Sequence, residues 1–213
     1  EYDRFVLSKG HSAPLFYTVL MEAGYIPKST NKLREYGSIL QGHPDAMKTK
    51  GVEISSGSLG NGLSVAAGIA AAAKIDGKKT RVYCLLGDGE CDEGLVWEAA
   101  MMAPSRKLDN LTAIVDRNML QIDGCTEDVV CLEPFSDKWR AFNWNVIECD
   151  GHSYDELLDA FKLASEHKGQ PTVVIGHTTK GKDVSFMENN VGFHGKAPND
   201  EELEKALNEL GEA

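Results

Sequence analysis

Two oxygen-bearing side chains follow two apolar runs in the middle of the sequence. Asp88 lies within Gly87-Asp88-Gly89, after the apolar run 82–86, and Asn118 closely follows the apolar run 111–115. The two side chains are 30 residues apart (118 − 88), which is a natural length for one strand–helix–strand unit. Because parallel strands end at the same edge of a sheet, we expect both at the edge where open α/β folds bind ligands.

This pair of side chains suits a hard divalent cation, Mg²⁺ or another such as Ca²⁺. Mg²⁺ prefers oxygen ligands and uses one or two protein carboxylates, with carbonyls, water and phosphates completing its shell. We predict that Asp88 supplies charge, Asn118 a neutral oxygen, and the backbone near Leu120 a carbonyl. Gly87 and Gly89 would let the backbone approach a phosphate, which a helix N-terminus favours. Alone, Gly-Asp-Gly is more typical of a tight turn; the Asn after the next strand favours the ligand site.

The elements that must position these groups alternate between apolar runs and helical patterns. The predicted strands span residues 5–7, 82–86, 111–115, 144–149 and 171–177. The predicted helices span residues 13–23, 28–36, 63–75, a segment that follows Gly89 and includes 95–102, and then 135–142, 153–167 and 199–210. This order implies an α/β fold with a largely parallel central sheet and helices on both faces. The length of 213 residues predicts a single domain over residues 1–213.

Composition excludes several classes of function. The net charge of −11 argues against a general nucleic-acid binder, since phosphate contacts need a basic surface. The five cysteines, an odd number without a Cys-x-x-Cys pair, favour free thiols in a reducing cytoplasm. No apolar run approaches the length of a membrane span and no signal peptide is visible, so we expect a cytoplasmic protein that does not enter a membrane.

The central motif also carries a family resemblance. Gly87-Asp88-Gly89 followed by Asn118 resembles the thiamine diphosphate motif, and residues 89–94, 116–118 and Ile122-Asp123-Gly124 resemble transketolases most closely. The resemblance runs over nearly the whole chain. It implies the diphosphate-binding fold of that family, with thiamine diphosphate and Mg²⁺ as cofactors. It also implies transfer of a two-carbon ketol unit from a ketose phosphate to an aldose phosphate.

Three histidines gain roles through this resemblance. Read alone, a loop histidine is more often a surface residue than a catalytic one. His11, within Ser8-Lys9-Gly10-His11-Ser12, matches a transketolase histidine near the cofactor diphosphate. His43 matches one near the donor sugar, and His194 one near the diphosphate and the acceptor aldehyde. The resemblance thus implies that all three are catalytic, through hydrogen bonds and proton transfers.

The resemblance also implies a set of cofactor contacts. The loop at residues 55–62 matches the family's Gly-Pro-Leu-Gly segment over the aminopyrimidine ring, with Ser58 in place of the Pro. Glu93 matches a glutamate in a hydrogen-bonded chain between paired active sites. The implied cofactor-binding residues are His11, Gly57, Leu59, Gly87, Asp88, Gly89, Glu90, Asn118, Ile122 and His194.

Parts of a transketolase have no counterpart in this sequence. The family's earliest N-terminal segment, with its Gly-His-Pro-Gly motif, is absent, as are the pyrimidine-binding and third domains. The resemblance therefore implies the N-terminal subunit of a split transketolase with a separately encoded C-terminal subunit. The assembly would be a heterotetramer, or a homodimer of this chain.

Two alternatives stay open. The α subunit of a 2-oxoacid dehydrogenase shares the Gly-Asp-Gly to Asn motif, but Ser8–His11 and Ile122–Gly124 favour transketolase, including one that acts on sugar sulfonates or branched sugars. The second alternative is an inactive cofactor-binding paralog. The presence of Asp88, Asn118 and the three histidines argues against such a loss of function.

Overall fold

The strands form one large parallel sheet and one small hairpin. The structure is a computed structural model that describes residues 2–211. Its strands are β1 (Arg4–Leu7), β2 (Val82–Gly87), β3 (Leu111–Arg117), β4 (Leu120–Gln121), β5 (Gly124–Cys125), β6 (Asn145–Asp150) and β7 (Thr172–His177). Five of them form a sheet in the order β1-β2-β3-β7-β6, and every pair in it is parallel. The hairpin of β4 and β5 is antiparallel. The predicted α/β fold with a parallel sheet is confirmed.

Helices follow most strands, as the predicted alternation requires. They are α1 (Ala13–Glu22), α2 (Asn61–Ile75), α3 (Gly94–Ser105), α4 (Thr126–Val129), α5 (Phe135–Ala141), α6 (Tyr154–Glu166) and α7 (Asp200–Leu210). Short 3₁₀ turns occupy Gly10–Ser12, Gly89–Asp92 and Val191–Phe193. Within residues 2–211, no helix combines the length and apolar character needed to cross a bilayer.

The two faces of the sheet are covered by different helices. Val173 and Ile175 of β7 belong to the main core, with side chains from α2, α3 and α5. Val174, between them, packs instead with Ala160 of α6. Successive strand residues point to opposite faces, so α2 and α3 lie on one side of the sheet and α6 on the other. The alanines of α2, such as Ala66 and Ala70, are fully buried in the main core, as its small-residue composition predicts.

One predicted helix is wrong. Residues 28–36 form a series of turns, and Arg34 has a positive φ of 64°. The segment Lys28–Tyr36 is rich in polar side chains and contributes one half-buried leucine, Leu33, to the neighbouring α1 cluster. Without a continuous apolar stripe, this segment has no face whose burial would stabilise a helix.

Three helix starts differ in how they are capped. A 3₁₀ turn over Gly89–Asp92 precedes α3, and Glu93 is the N-cap of α3. Ser12 occupies the N-cap of α1 without a side-chain hydrogen bond. Ser153 caps α6 by accepting from the Glu156 N–H, and the Glu156 carboxylate accepts from the Asp150 N–H.

The predicted domain, residues 1–213, includes residues 1, 212 and 213, which lie outside the described residues.

Candidate active site

The loops that carry the candidate side chains leave the same edge of the sheet. β1 ends at Leu7, β2 at Gly87, β3 at Arg117 and β7 at His177. Since these strands are parallel neighbours, the segments that follow them meet at the carboxyl edge, as predicted.

Asp88 is bonded directly to the segment that carries Asn118. Its side chain is buried, and Oδ1 accepts from the Gly89 N–H at 2.8 Å. Oδ2 accepts from the Met119 N–H at 2.6 Å and from an Arg117 N–H at 3.3 Å. Met119 has φ of 64°, in the left-handed region, within the turn that follows β3. The structure therefore brings together the ends of β2 and β3 that the sequence pairs.

The electrostatics of Asp88 fit a cation. Burial raises the pKa of Asp88 above its ordinary value, although its hydrogen bonds and Arg117 oppose the shift. A bound cation would stabilise the charged form that burial disfavours. Asn118 is also buried, and its Oδ1 accepts from the Leu120 N–H at 3.1 Å.

The oxygen donors at the ends of β2 and β3 are of the kind that Mg²⁺ binds. Within residues 2–211, no group of three or more His, Cys, Asp or Glu side chains is arranged to hold a metal ion. One carboxylate, one amide oxygen and one backbone carbonyl are what Mg²⁺ requires when water and phosphate oxygens complete its shell.

Arg117 forms ion pairs with Asp88 and with two glutamates. Its buried guanidinium contacts Glu127 at 2.9 Å and Glu133 at 2.8 Å, besides Asp88 at 3.3 Å. It also lies 5.2 Å from the centre of the Phe135 ring. The Arg117 guanidinium thus links Asp88 to the segment between β5 and α5.

Glu90 connects three segments of the carboxyl edge. Its Oε1 accepts from the Ser8 hydroxyl and from the Gly60 N–H, the latter at 2.8 Å. Its Oε2 accepts from the Gly87 N–H at 3.1 Å. The side chain is buried, and burial raises the pKa of Glu90 above its ordinary value.

The loops around Glu90 pack at very short range. A Cβ on Gly10 would lie 2.8 Å from the Gly57 nitrogen, and one on Gly57 would lie 3.1 Å from the His43 ring. Gly57 itself has φ of 150°. A Cβ on Gly62 would overlap the Ser8 side chain. The structure therefore places His43 and the loop of Gly57 and Leu59 beside the loop that leads to His11.

His11 and His194 form a stacked pair. Their ring centroids are 5.3 Å apart, with 29° between the planes. Burial lowers the pKa of His11 to about 4, assisted by the charges of Lys9, His194, Lys180 and His43. Burial also lowers the pKa of His194. The His194 Nδ1 is buried and has no hydrogen-bond partner among the described residues.

Residues 1–213 match the family described as "Transketolase, thiamine diphosphate binding domain". The chain belongs to the transketolase family. The predicted resemblance is confirmed, and the family description supports thiamine diphosphate as the cofactor of this transketolase-type domain.

Two relatives that this chain covers to about three quarters of their length are named as subunits of transketolases. The chain is 46% identical over 211 residues to a subunit of apulose-4-phosphate transketolase from Phocaeicola vulgatus, covering 99% of this chain and 75% of the relative. It is 43% identical to the 6-deoxy-6-sulfo-D-fructose transketolase subunit SqwG from Clostridium sp. (strain MSTE9), covering 99% of this chain and 77% of that one.

Single-chain transketolases are much longer. The crystal structure of transketolase from Campylobacter jejuni superposes with a TM-score of 0.92 at 33% identity, over 98% of this chain and 34% of that one. The chain thus spans about a third of that transketolase.

Two lysines near the site, Lys9 and Lys180, are not among the site residues predicted from the transketolase motifs. Lys9 pairs with Asp116 at 2.6 Å, and the Thr178 hydroxyl donates to Asp116 at 2.5 Å. Burial would raise the pKa of Asp116, but Lys9 and Thr178 hold it below its ordinary value. Lys180 is half-buried, and burial together with the charge of Lys9 lowers its pKa. The sequence feature that could have identified Lys9 is its position within the Ser-Lys-Gly-His motif.

Gln121 is a further candidate that the sequence did not single out in this transketolase domain. A Cβ on Gly89 would lie 2.7 Å from the Gln121 Cβ, so the Gln121 side chain covers the Gly-Asp-Gly turn. Its Oε1 is buried without a hydrogen-bond partner in the described range. No local pattern marks this role, because it depends on the β4–β5 hairpin folding back over the end of β2. Ile122, in the same hairpin, is exposed.

Proposed function

We propose that this chain is the diphosphate-binding subunit of a two-chain transketolase. With a separately encoded C-terminal subunit, it transfers a two-carbon ketol unit from a ketose phosphate to an aldose phosphate. The main support is the hydrogen bond that joins Asp88 to the segment of Asn118 at the carboxyl edge of the sheet. The stacked rings of His11 and His194 lie on loops at the same edge. The family match favours this activity over that of a 2-oxoacid dehydrogenase α subunit. Residues 1–213 act as one domain in this proposal.

The metal and diphosphate would be held by the ends of β2 and β3. Asp88, the Asn118 amide oxygen and the Leu120 carbonyl would bind Mg²⁺ or a similar cation such as Ca²⁺. Gly87 and Gly89 would leave room for phosphate oxygens. When bound, thiamine diphosphate would supply an electron sink for cleavage of the carbon–carbon bond.

Further contacts would orient the cofactor. Gly57 and Leu59 would lie against its pyrimidine ring, with Ile122 and the exposed side of the hairpin completing the site. His11 and His194 would face its diphosphate. Glu90, which the resemblance assigned to direct contact, has both carboxylate oxygens occupied by internal donors.

The histidines would act on sugar oxygens. The lowered pKa values of His11 and His194 make both rings neutral at pH 7. A neutral imidazole donates from one ring nitrogen and accepts at the other, so each can hold a hydroxyl and move its proton. His43 is exposed beside Gly57, where it would donate to the donor sugar.

The partner proposal is supported by the names of the relatives. The proteins from P. vulgatus and Clostridium sp. are each named as one subunit of a transketolase. We infer a heterotetramer of two such pairs, or a homodimer of this chain, in the cytoplasm. All five cysteines are free thiols, which is compatible with that reducing compartment.

Calorimetry tests the cofactor site directly. Thiamine diphosphate is titrated into the chain with Mg²⁺ or with a chelator, each with and without the candidate partner chain. We expect binding that needs Mg²⁺ and tightens with the partner. Asp88→Asn should weaken binding at least about 100-fold, because it removes the charged ligand. Asp159→Asn, an exposed carboxylate on α6 and away from the carboxyl edge, is the control and should bind as wild type does.

Activity separates the candidate functions. The reconstituted pair is assayed for ketol transfer between sugar phosphates and for decarboxylation of a 2-oxoacid. Cofactor binding without turnover by any candidate pair would support the inactive paralog. Wild-type binding by Asp88→Asn would contradict the metal assignment.

A further inference from the structure

We propose that Glu90 is a positioning residue that holds three ligand-edge loops in one arrangement. Its carboxylate fixes the loop of His11, the loop of Gly57 and Leu59, and the start of the Gly-Asp-Gly turn relative to one another. The consequence for the cofactor rests on the proposed function, whereas the effect on the loops does not.

The hydrogen bonds of Glu90 come from three separate parts of the chain. Ser8 follows β1, Gly60 precedes α2, and Gly87 ends β2. All three donate to the one carboxylate, and Oε1 accepts two of the bonds. No other single side chain of the site bonds to all three segments in the described residues.

The burial of Glu90 argues for a specific role. Its side chain is 2% exposed, and residues 2–211 provide no ion-pair partner for it within 4 Å. A buried carboxylate is costly unless its oxygens are well bonded, and an apolar side chain here would leave three donors without an acceptor. The charge is explained if the site needs strong acceptors for three donors at one point.

Each hydrogen bond leads to a group of the proposed site. Ser8 is followed by the 3₁₀ turn Gly10–Ser12 that carries His11. Gly60, with φ of 85°, directly follows Leu59 at the start of α2. Gly87, whose N–H donates to Glu90, is the residue just before Asp88, and the Asp88 carboxylate is the proposed metal ligand.

The loops have almost no free space at these junctions. Gly62 lies against Ser8 and Gly10 against Gly57, so no side chain fits between them. Such contacts limit how closely the loops approach but do not hold them together. The bonds to Glu90 supply that attraction, so that the loops are ordered before a ligand arrives. Without them, ordering must occur on binding and weakens affinity.

Glutamine cannot replace this carboxylate. It has one oxygen, and its NH₂ group would face either the Gly87 N–H or the Gly60 N–H, which are both donors. Glu90→Gln therefore breaks at least one bond without changing size. Ser8→Ala removes only the bond to the His11 loop and introduces no new donor. Glu98→Gln makes the same chemical change on the exposed face of α3 and is the matched control.

Hydrogen exchange of the full chain, followed by mass spectrometry without cofactor, tests the loops. For Glu90→Gln we expect amide exchange to rise about tenfold or more in peptides covering residues 8–12 and 57–61, with β3 and β7 unchanged. Ser8→Ala should affect residues 8–12 alone, and Glu98→Gln neither loop. Unchanged exchange in both loops, or an equal rise in every peptide, would overturn the proposal. If Glu90→Gln does not fold, the Ser8→Ala result decides.

Calorimetry then tests the consequence for binding. With Mg²⁺ and the partner chain, Glu90→Gln should raise the thiamine diphosphate Kd about tenfold or more. An unchanged Kd with faster loop exchange would refute this positioning role. If wild type binds no thiamine diphosphate under any condition, the proposed function fails. The exchange data still decide whether Glu90 holds the loops.

Discussion

His11 and His194 come from opposite ends of the chain, yet their rings stack with centroids 5.3 Å apart. His11 follows β1, whereas His194 follows the 3₁₀ turn that ends at Phe193. Lys9 and Lys180 lie close enough to lower the pKa values of both rings. A stacked pair of neutral rings among cations is suited to anionic ligands and poorly suited to protonation.

Acid should destabilise the protein through this pair. The pKa of His11 falls from an ordinary 6.5 to about 4 in the folded chain. The unfolded chain therefore binds this proton first, and stability is lost as pH falls from about 6.5 towards 4. His11→Asn cannot be protonated, so its free energy of unfolding should fall less steeply over that range. Urea unfolding at several pH values measures this, and parallel pH curves would contradict it.

The pKa of His11 should depend on Lys9. In Lys9→Gln the ammonium that opposes protonation of His11 is lost, so the pKa of His11 should rise. Asp116 loses its ion-pair partner at 2.6 Å, and its pKa should rise too. Nuclear magnetic resonance titration of the imidazole and carboxyl signals follows both groups. Titration curves that match those of wild type would show that Lys9 does not control the pKa of His11 or of Asp116.

Removal of Arg117 should be strongly destabilising. Arg117→Met leaves Asp88, Glu127 and Glu133 without their shared buried cation. We expect a loss of about 3–5 kcal/mol in the free energy of unfolding, measured by urea denaturation. Arg140→Met, which breaks exposed ion pairs on α5, is the comparison and should change stability by about 0.5 kcal/mol or less. Equal losses in the two variants would rule out a special role for the buried network.

Two glycines of α2 should respond in opposite directions to the same change. A Cβ on Gly62 would overlap Ser8, whereas one on Gly68 meets nothing within 4 Å. Gly62→Ala should destabilise the chain by about 1–3 kcal/mol. Gly68→Ala should stabilise it by about 0.5–1 kcal/mol through helix propensity. Thermal and urea unfolding of both variants tests this. Stabilisation by both substitutions would show that the Ser8 loop moves to accommodate a Cβ on Gly62 at little cost.

The sheet and the pairing of Asp88 with the Asn118 segment could be predicted because both depend on local patterns. Apolar runs mark the strands, and parallel topology then fixes where Asp88 and Asn118 meet. The five strands of the parallel sheet were predicted to within a few residues, and α1, α2, α3, α5, α6 and α7 were found near their predicted places. The β4–β5 hairpin and the short α4 were not predicted.

What the sequence could not show depends on contacts between distant segments. The place of Glu90 requires Ser8 and Gly60, which lie 82 and 30 residues away in the chain. The Gln121 Oε1 is buried because a short hairpin folds over Gly89. The incorrect helix at 28–36 has a different origin, since the segment offers Leu33 to the α1 cluster but has no continuous apolar stripe to stabilise a helix.

The ligand-facing loops gather at the carboxyl ends of the strands, and the amino ends are therefore available for a different use. There, Lys74 contacts Asp109 at 2.6 Å, and Asp109 accepts from the Gly169 N–H at 3.0 Å. A surface linker or fluorophore attached at residues 168–170 would hold the molecule by that end. Immobilised in this orientation, the protein would present its open edge to solution, for single-molecule recording of partner and ligand arrival.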